Sequence, residues 1–291
     1  MIEEEVYGII PATMSILKDD LTLDMDKTLL HAENLLENGS NFIVFFGSTG
    51  QAQLVSSNEK KSFIEYCSKS KYKNQFIFGT GSNSLQENIE ILKLAQDKGM
   101  FLSLLMGSAY FSYNDNEAYQ WFSKLIEKLP QSKILIYNFE KLSGFKFSKQ
   151  LVEKLAKDYP QIIGIKDSTA NLYNKLTIPN FKVFVGSEVR LLENLKLGGA
   201  GLISATINVT SLIAQKVYQA FKTGNKTNEN DHLVAVRKIF DKYDLIAALH
   251  SYKAQKDPVY RNILPPLKLL NDTDEEKLFQ ELQKINFKKA A

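Results

Sequence analysis

The 291-residue sequence has a single cysteine, Cys67, so no disulfide bond can form within the chain. No histidine or asparagine motif accompanies this cysteine, which favours a small core residue over a nucleophile. No apolar run approaches the roughly 18 residues of a membrane span. The acidic start, MIEEEVYGII, also lacks the pattern of a secretory signal. We therefore expect a cytoplasmic protein that does not bind a membrane.

The sequence also lacks a block of charge of one sign and any clustering of metal ligands. Its 36 basic and 33 acidic residues are mixed along the chain, so no patch for nucleic acid is indicated. His31, His232 and His250 lie far apart, without cysteine partners or metal-ligand spacing. No G-x-S-x-G motif of a serine hydrolase is present.

What the sequence does contain is an alternation of short apolar runs and amphipathic stretches. The runs are nearly continuous rather than alternating, as is typical of parallel strands covered on both faces. They occupy 7–13, 41–48, 75–82, 100–107, 133–139, 161–168, 181–187 and 200–206. Helical patterns between them occupy 26–38, 58–71, 84–99, 115–129 and 147–158. Eight such units predict an α/β fold, the (β/α)8 TIM barrel. A Rossmann fold is the alternative, but no G-x-G-x-x-G follows the first strand.

The predicted barrel occupies residues 1–224, and residues 225–291 are predicted to form a C-terminal helical extension. Two further helices are expected there, at about 228–250 and 273–287, joined by the segment DPVYRNILPPL. Within the barrel, Gly99 is positioned to close the helix of 84–99 as a C-terminal cap.

Active sites of such barrels gather at the C-terminal ends of the strands. The second predicted strand ends in Gly47-Ser48-Thr49-Gly50, whose hydroxyls and amide groups suit a carboxylate or a phosphate. The same four residues are also compatible with a plain strand-to-helix turn.

The fifth and sixth predicted strands carry the most reactive side chains. Period-two alternation places Tyr137 on the same face as Leu135, and Lys166 on the same face as Gly164. A buried lysine is rare, and burial favours its neutral amine, which can attack a ketone to form an iminium. The alternative is a lysine at an exposed strand tip that pairs with Asp167.

Together these motifs resemble the dihydrodipicolinate synthase and N-acetylneuraminate lyase family of pyruvate-dependent class I aldolases. The resemblance runs from about Tyr7 to Leu270. Its carriers are FFGSTGQ (45–51), FGTGSN (78–83), the Ala-Tyr-Phe segment around Tyr110, IYNF (136–139), GIKDST (164–169), GLISAT (201–206) and ILPPL (263–267).

The resemblance implies a role for each matching residue. Lys166 would form the Schiff base with pyruvate, and the phenol of Tyr137 would move protons. Ser48 and Thr49 would hold the pyruvate carboxylate, and Ser48 would link Tyr137 to Tyr110 in a proton relay.

Assembly and cofactor use are implied in the same way. In family tetramers the tyrosine that matches Tyr110 reaches a neighbouring subunit, so a homo-oligomer, a dimer or a tetramer, is expected. The backbone at Ile203 would line the pyruvate end of the site. The covalent lysine–pyruvate imine would replace any cofactor, so neither a metal nor a nucleotide is expected.

Departures from the family pattern concern the second substrate. The synthases usually carry an arginine at the position of Leu142, and Gln51 and Glu140 replace a common glutamate and a common proline. Glu188 and Arg190 follow the seventh predicted strand and are candidates for binding a polar second substrate. Solvated surface positions are the alternative for both.

The leading hypothesis is therefore a lyase that joins or splits pyruvate and a polar, sugar-derived aldehyde. It would resemble an N-acetylneuraminate lyase or a 2-keto-3-deoxy sugar acid aldolase. The alternative is 4-hydroxy-tetrahydrodipicolinate synthase, which condenses pyruvate with aspartate semialdehyde in lysine biosynthesis. A decarboxylating or dehydrating keto-acid enzyme is a third possibility. A catalytically silent ligand-binding barrel is the alternative from a different class.

Overall fold

Eight parallel strands form one sheet in the computed structural model, which describes residues 5–287. They are β1 (Gly8–Pro11), β2 (Ile43–Phe45), β3 (Phe76–Phe78), β4 (Leu102–Met106), β5 (Lys133–Asn138), β6 (Ile162–Asp167), β7 (Lys182–Val185) and β8 (Gly201–Ser204). Each lies within one of the eight apolar runs predicted from the sequence.

The sheet closes on itself. Neighbouring strands follow the order β1-β8-β7-β6-β5-β4-β3-β2, and β1 meets β2 through a parallel bridge between Ala12 and Val44. The N–H of Thr13 donates to the carbonyl of Val44 at 2.9 Å and adds to this closure. The predicted (β/α)8 barrel is confirmed.

Helices follow the strands and cover the outside of the barrel. They are α1 (Met25–Glu37), α2 (Ser57–Cys67), α3 (Leu85–Asp97), α4 (Asp115–Ile126), α5 (Glu140–Ser143), α6 (Lys149–Asp158), α7 (Leu191–Lys196) and α8 (Ile207–Thr223). Capping side chains start several of them: Ser56 begins α2, and Asn114 begins α4, each in a capping box. Gly99 follows α3 in the left-handed region (φ 82°), as predicted.

Within the described residues up to 287, three α-helices follow the barrel, namely α9 (Glu229–Phe240), α10 (Leu245–Ala254) and α11 (Asp272–Lys284). The single helix predicted over 228–250 is wrong, because the chain turns after Phe240 and starts α10 anew. Asp244 causes the restart, since its carboxylate accepts the N–H of Ala247 as an N-cap. The division at residue 224 coincides with Gly224, which ends α8, and the extension as a separate unit stays a prediction.

The direction of the side chains follows the predicted alternation. Leu135 and Tyr137 pack among residues of the barrel interior, whereas Ile134 and Ile136 pack against the helices. None of the described helices has the length and apolar character of a membrane span.

Candidate active site

Lys166 lies inside the barrel, near the C-terminal end of β6, and only 4% of its surface is exposed. It is the direct register partner of Tyr137 on β5. Its Nζ lies 4.1 Å from the centroid of the Tyr137 ring, over the aromatic face. The two strands thus place a buried amine and a phenol side by side.

Asp167 does not pair with Lys166, because its carboxylate is used by the loop that follows β6. One oxygen accepts the N–H of Ala170 at 2.9 Å and the side-chain amide of Asn138 at 2.8 Å. The other accepts the N–H groups of Leu172 and Tyr173 at 2.7 and 2.9 Å. No carboxylate among residues 5–287 forms an ion pair with Lys166. The alternative of an exposed, paired lysine is therefore wrong.

Gly164 lies two residues before Lys166 on β6, where neighbouring strands pack closely. A Cβ at this position would lie 2.2 Å from the carbonyl oxygen of Lys182 and 2.9 Å from Leu135. Glycine at 164 therefore permits the close approach of β5, β6 and β7 and, through that approach, sets the position of Lys166.

The turn after β2 brings Ser48 to the phenol of Tyr137. Residues Ser48–Gly50 form one turn of 3-10 helix, and the Ser48 hydroxyl lies 3.3 Å from the Tyr137 hydroxyl. Thr49 is buried beside it. Ser48 and Thr49 are the first residues of the turn, so their N–H groups take no part in its internal hydrogen bonds. The Ser15 hydroxyl fixes the end of the turn by donating to the Gly50 carbonyl at 2.6 Å.

A pocket of about 330 Å³ opens above Tyr137 at this end of the barrel. Its polar lining consists of hydroxyl and amide side chains and contains no charged residue. These side chains are Ser48, Gln51, Gln53, Thr80, Ser82, Asn83 and Tyr137. Leu142, which stands where the synthases usually carry an arginine, also lines this pocket.

Three segments of the pocket wall carry side chains that were not predicted from the sequence to belong to the site. Thr80, Ser82 and Asn83 belong to the FGTGSN motif, but no role was predicted for their side chains. Ile246 and Pro266 come from the C-terminal extension, for which no side-chain role in the site was predicted. The ILPPL motif was the signal that this segment contributes to the site.

The remaining predicted residues lie in different surroundings. Ile203 is fully buried on β8 within the barrel interior. Tyr110, in contrast, is 89% exposed on the loop after β4, with a left-handed φ of 83°, and its ring contacts Phe111, which is 73% exposed. Within this one chain, Tyr110 therefore does not join the pair of Ser48 and Tyr137.

Glu188 is buried and its carboxylate already has partners. One oxygen lies 3.0 Å from Arg237 of α9, and the other accepts the hydroxyl of Thr206. Arg237 also donates to the Ser204 hydroxyl at 3.0 Å. This ion pair ties the ends of β7 and β8 to the C-terminal helices. The predicted contact of Glu188 with a second substrate stays a hypothesis, and in this conformation the carboxylate is occupied.

The geometry supports one kind of chemistry above others. A buried amine without a carboxylate partner is suited to attack on a carbonyl carbon. A phenol beside it and a hydroxyl in contact with that phenol can carry protons between the reacting atoms and the solvent.

Comparison with known proteins supports the same class. The chain matches the dihydrodipicolinate synthetase family over residues 5–285. It is 28% identical over 295 residues to a 4-hydroxy-tetrahydrodipicolinate synthase of Methanopyrus kandleri, with 97% of each chain covered. It is 26% identical over 292 residues to the putative 2-dehydro-3-deoxy-D-gluconate aldolase YagE of Escherichia coli, with 96% of each chain covered.

A solved structure agrees with these relatives. The chain is similar, with a TM-score of 0.88 and 25% identity, to the chloride-inhibited dihydrodipicolinate synthase from Acinetobacter baumannii complexed with pyruvate. The similarity covers 97% of this chain and all of that one. The chain therefore belongs to the dihydrodipicolinate synthetase family of class I aldolases. It is a carbon–carbon lyase of the Schiff-base type.

Proposed function

We propose that the enzyme joins or splits pyruvate and an uncharged polyhydroxy aldehyde, with Lys166 as the Schiff-base lysine. The observation that carries this proposal is the placement of Lys166. It is buried, has no carboxylate partner among the described residues, and lies 4.1 Å from the ring centre of Tyr137.

In the direction of synthesis, the amine of Lys166 attacks C2 of pyruvate and gives a carbinolamine. Loss of water then forms the iminium, which withdraws electrons from C3 so that a proton can leave this carbon. The resulting enamine attacks the aldehyde carbon, and water finally releases the product and the amine. No metal or organic cofactor takes part in this sequence.

Tyr137 and the turn after β2 support these steps. The Tyr137 phenol donates a proton to the departing hydroxyl of the carbinolamine and recovers it through Ser48, whose hydroxyl lies 3.3 Å away. The N–H groups of Ser48 and Thr49, with the Thr49 hydroxyl, hold the pyruvate carboxylate. The backbone at Ile203 lines the pyruvate end.

The pocket above Tyr137 supports the proposed class of aldehyde. Aspartate semialdehyde carries a carboxylate, and a buried carboxylate needs a cationic partner. The pocket adjoins Tyr137, and Lys166 itself is not among its lining residues. These residues include no arginine or lysine, and Leu142 stands at the arginine position. Hydroxyl and amide groups such as those of Gln53, Ser82 and Asn83 suit the hydroxyls of a sugar-derived aldehyde instead.

The exposed pair of Tyr110 and Phe111 supports assembly into a homo-oligomer, a dimer or a tetramer. Two adjacent aromatic rings in solvent are unfavourable, and contact with a second copy would cover them. In that assembly, Tyr110 reaches the neighbouring subunit and completes its relay from Ser48.

Substrate choice is tested by incubating the enzyme with pyruvate and either D-glyceraldehyde or aspartate semialdehyde, and following pyruvate consumption. We expect turnover with glyceraldehyde and little with the semialdehyde. The reverse preference would establish the synthase alternative. Lys166→Ala should abolish turnover, whereas Lys182→Ala, on the neighbouring strand but paired with Glu5 at 2.9 Å, should retain it.

A further inference from the structure

A cavity of about 920 Å³ lies outside the barrel, between α1, the first turns of α8 and the C-terminal helices. It is separate from the pocket above Tyr137, and the two share no lining residue. Its polar walls include Lys27, His31, His232, Lys253 and Tyr260. A cavity of this size can hold an organic molecule of metabolite dimensions.

The charges around this cavity favour an anion. Lys27, Lys253 and Lys256 bring three positive charges, and Asp257 brings one negative charge, which leaves two positive charges in excess. The amine of Lys27 lies 3.7 Å from a carboxylate oxygen of Asp257 and forms an ion pair with it. Lys253 is half-buried, and no carboxylate of residues 5–287 lies within ion-pair distance of its amine. Burial and the charge of Lys256 both lower the pKa of Lys253.

Two further features of the cavity indicate which kind of ligand would fit it. The Nε2 atom of His232 is buried at the cavity and has no hydrogen-bond partner among the described residues. At the rim, Leu30 of α1 and Leu212 of α8 are each 57% exposed. Unpaired polar groups inside and apolar side chains at the rim fit a ligand with an anionic end and an apolar end.

We propose that this cavity is an effector site for a small dianion with an apolar part, a phosphate monoester or a dicarboxylate, which acts on the turn that holds pyruvate. The anionic group pairs with Lys253 and receives a hydrogen bond from His232. The apolar part lies against Leu30 and Leu212. The excess of two positive charges matches two negative charges on the ligand.

A chain of hydrogen bonds leads from the cavity wall towards the active site. His31 Nε2 lies 2.8 Å from the side-chain oxygen of Asn208, which can only accept, so this nitrogen carries the proton. Nδ1 of the neutral ring therefore accepts the hydroxyl of Tyr260 at 3.1 Å. The ring of Tyr260 also faces Lys253, with 5.2 Å between the amine and the ring centre.

The chain continues from Tyr260 to the turn after β2. His250 Nδ1 donates to the Tyr260 carbonyl at 2.7 Å, and Nε2 of His250 accepts the amide of Gln51 at 3.3 Å. The side-chain oxygen of Gln51 accepts the N–H of Leu264 at 2.8 Å, which fixes the orientation of the Gln51 amide. Gln51 directly follows the turn of Ser48–Gly50 and has a left-handed φ of 54°. A shift of Tyr260 can thus reach the pyruvate-binding turn through two hydrogen bonds, from Tyr260 to His250 and from His250 to Gln51.

Binding is tested by calorimetric titration of phenyl phosphate and of phthalate into Lys166→Ala protein, so that this arm does not depend on Schiff-base chemistry. We expect one site per chain with a Kd below about 10 mM for at least one probe, and which probe binds defines the anionic group. Lys253→Gln should weaken this binding about tenfold or more. Lys242→Gln, an exposed lysine paired with Glu281 outside the cavity, should leave it unchanged. Neither probe binding, or equal effects of both substitutions, would overturn the proposal.

Coupling is tested in the unsubstituted enzyme and rests on the proposed function. The probe that binds should change the KM for pyruvate about fivefold or more. His250→Leu removes the two hydrogen bonds that join the Tyr260 carbonyl to Gln51, at a residue that does not line the cavity, so it should retain probe binding and lose the change in KM. Binding without any change in KM would disprove the effector role, as would an undiminished change in His250→Leu. Failure of the enzyme to use pyruvate at all would refute the proposed function instead.

Discussion

Lys166 and Tyr137 are neighbours because they are register partners on adjacent strands, at the end of the barrel where the pocket opens. Sequence alternation placed Tyr137 on the face of Leu135 and Lys166 on the face of Gly164, and the fold of the barrel turns both faces inward. The distance between them could not be read from the sequence, because it depends on a register shift between Ile134 and Leu135 of β5. The side-by-side geometry is therefore a property of the folded barrel.

Removing the Tyr137 hydroxyl should affect the chemistry more than binding. In Tyr137→Phe the ring still packs under Lys166, but the proton carrier is gone. We expect turnover to fall about 100-fold or more, with a change of less than about threefold in the pyruvate concentration for half-maximal trapping by borohydride. Tyr113→Phe is the control, since its buried hydroxyl has no hydrogen-bond partner among the described residues. A full rate in Tyr137→Phe would refute the proton-carrier role.

His31 should make stability depend on pH in the acidic range. Burial, with the positive charge of Lys253, lowers the pKa of His31 from 6.5 to about 4. The unfolded chain therefore binds more protons between these values, so the free energy of unfolding falls as the pH decreases from 6.5 to about 4 and is insensitive to this group above 6.5.

Urea unfolding of wild type and His31→Gln across this range measures that contribution. Glutamine can still donate to Asn208 but does not titrate, so the difference in unfolding free energy between the two proteins should shift in favour of the variant by up to roughly 3 kcal/mol at low pH. A difference that is constant from pH 4 to 7 would show that His31 is not held neutral by the fold.

At the scale of secondary structure, local signals predicted much but not every boundary. Caps such as Ser56 and Gly99 are encoded within a few residues, so the helices they limit were predictable. The break between α9 and α10 depends on a single cap, Asp244, inside a segment that was predicted as one continuous helix. The partners of Glu188 were not predictable, because Arg237 lies 49 residues away on a helix beyond the barrel.

The ion pair between Glu188 and Arg237 should stabilise the junction between the barrel and α9. In Arg237→Met the buried Glu188 carboxylate loses its counter-ion, and we expect a loss of about 3–5 kcal/mol in unfolding free energy. Pairing this change with Glu188→Gln should recover part of the loss, because no buried charge remains. Denaturant titration of the single and double variants measures both effects. Additive losses would mean that the two side chains do not depend on each other.

At the scale of the whole molecule, the eightfold alternation was sufficient to predict the barrel. The sequence was not sufficient to show that the C-terminal segment helps to form the pocket, through Ile246 and Pro266. Such long-range contacts follow from packing and leave no local pattern. The residues that line the pocket above Tyr137 are the least predictable part for the same reason, since they come from several strand ends and from this distant segment.

Assembly should depend on the aromatic pair after β4. Phe111→Asp places a charge where we expect contact with a second copy, so sedimentation velocity should show smaller species than for wild type, and activity should fall with them. Leu197→Asp, at another exposed leucine, is the control and should leave the assembly intact. A wild-type enzyme that is monomeric and fully active would contradict the intersubunit role of Tyr110.

The most direct test of the account is reduction of the enzyme with borohydride in the presence of pyruvate, followed by peptide mass spectrometry. One reduced pyruvyl group per chain is expected, located on Lys166, and no adduct is expected in Lys166→Ala. Surface lysines such as Lys182 and Lys242 should remain unmodified, because their amines form ion pairs with carboxylates. An adduct on another lysine, or none in an active enzyme, would contradict the assignment of Lys166 as the Schiff-base residue.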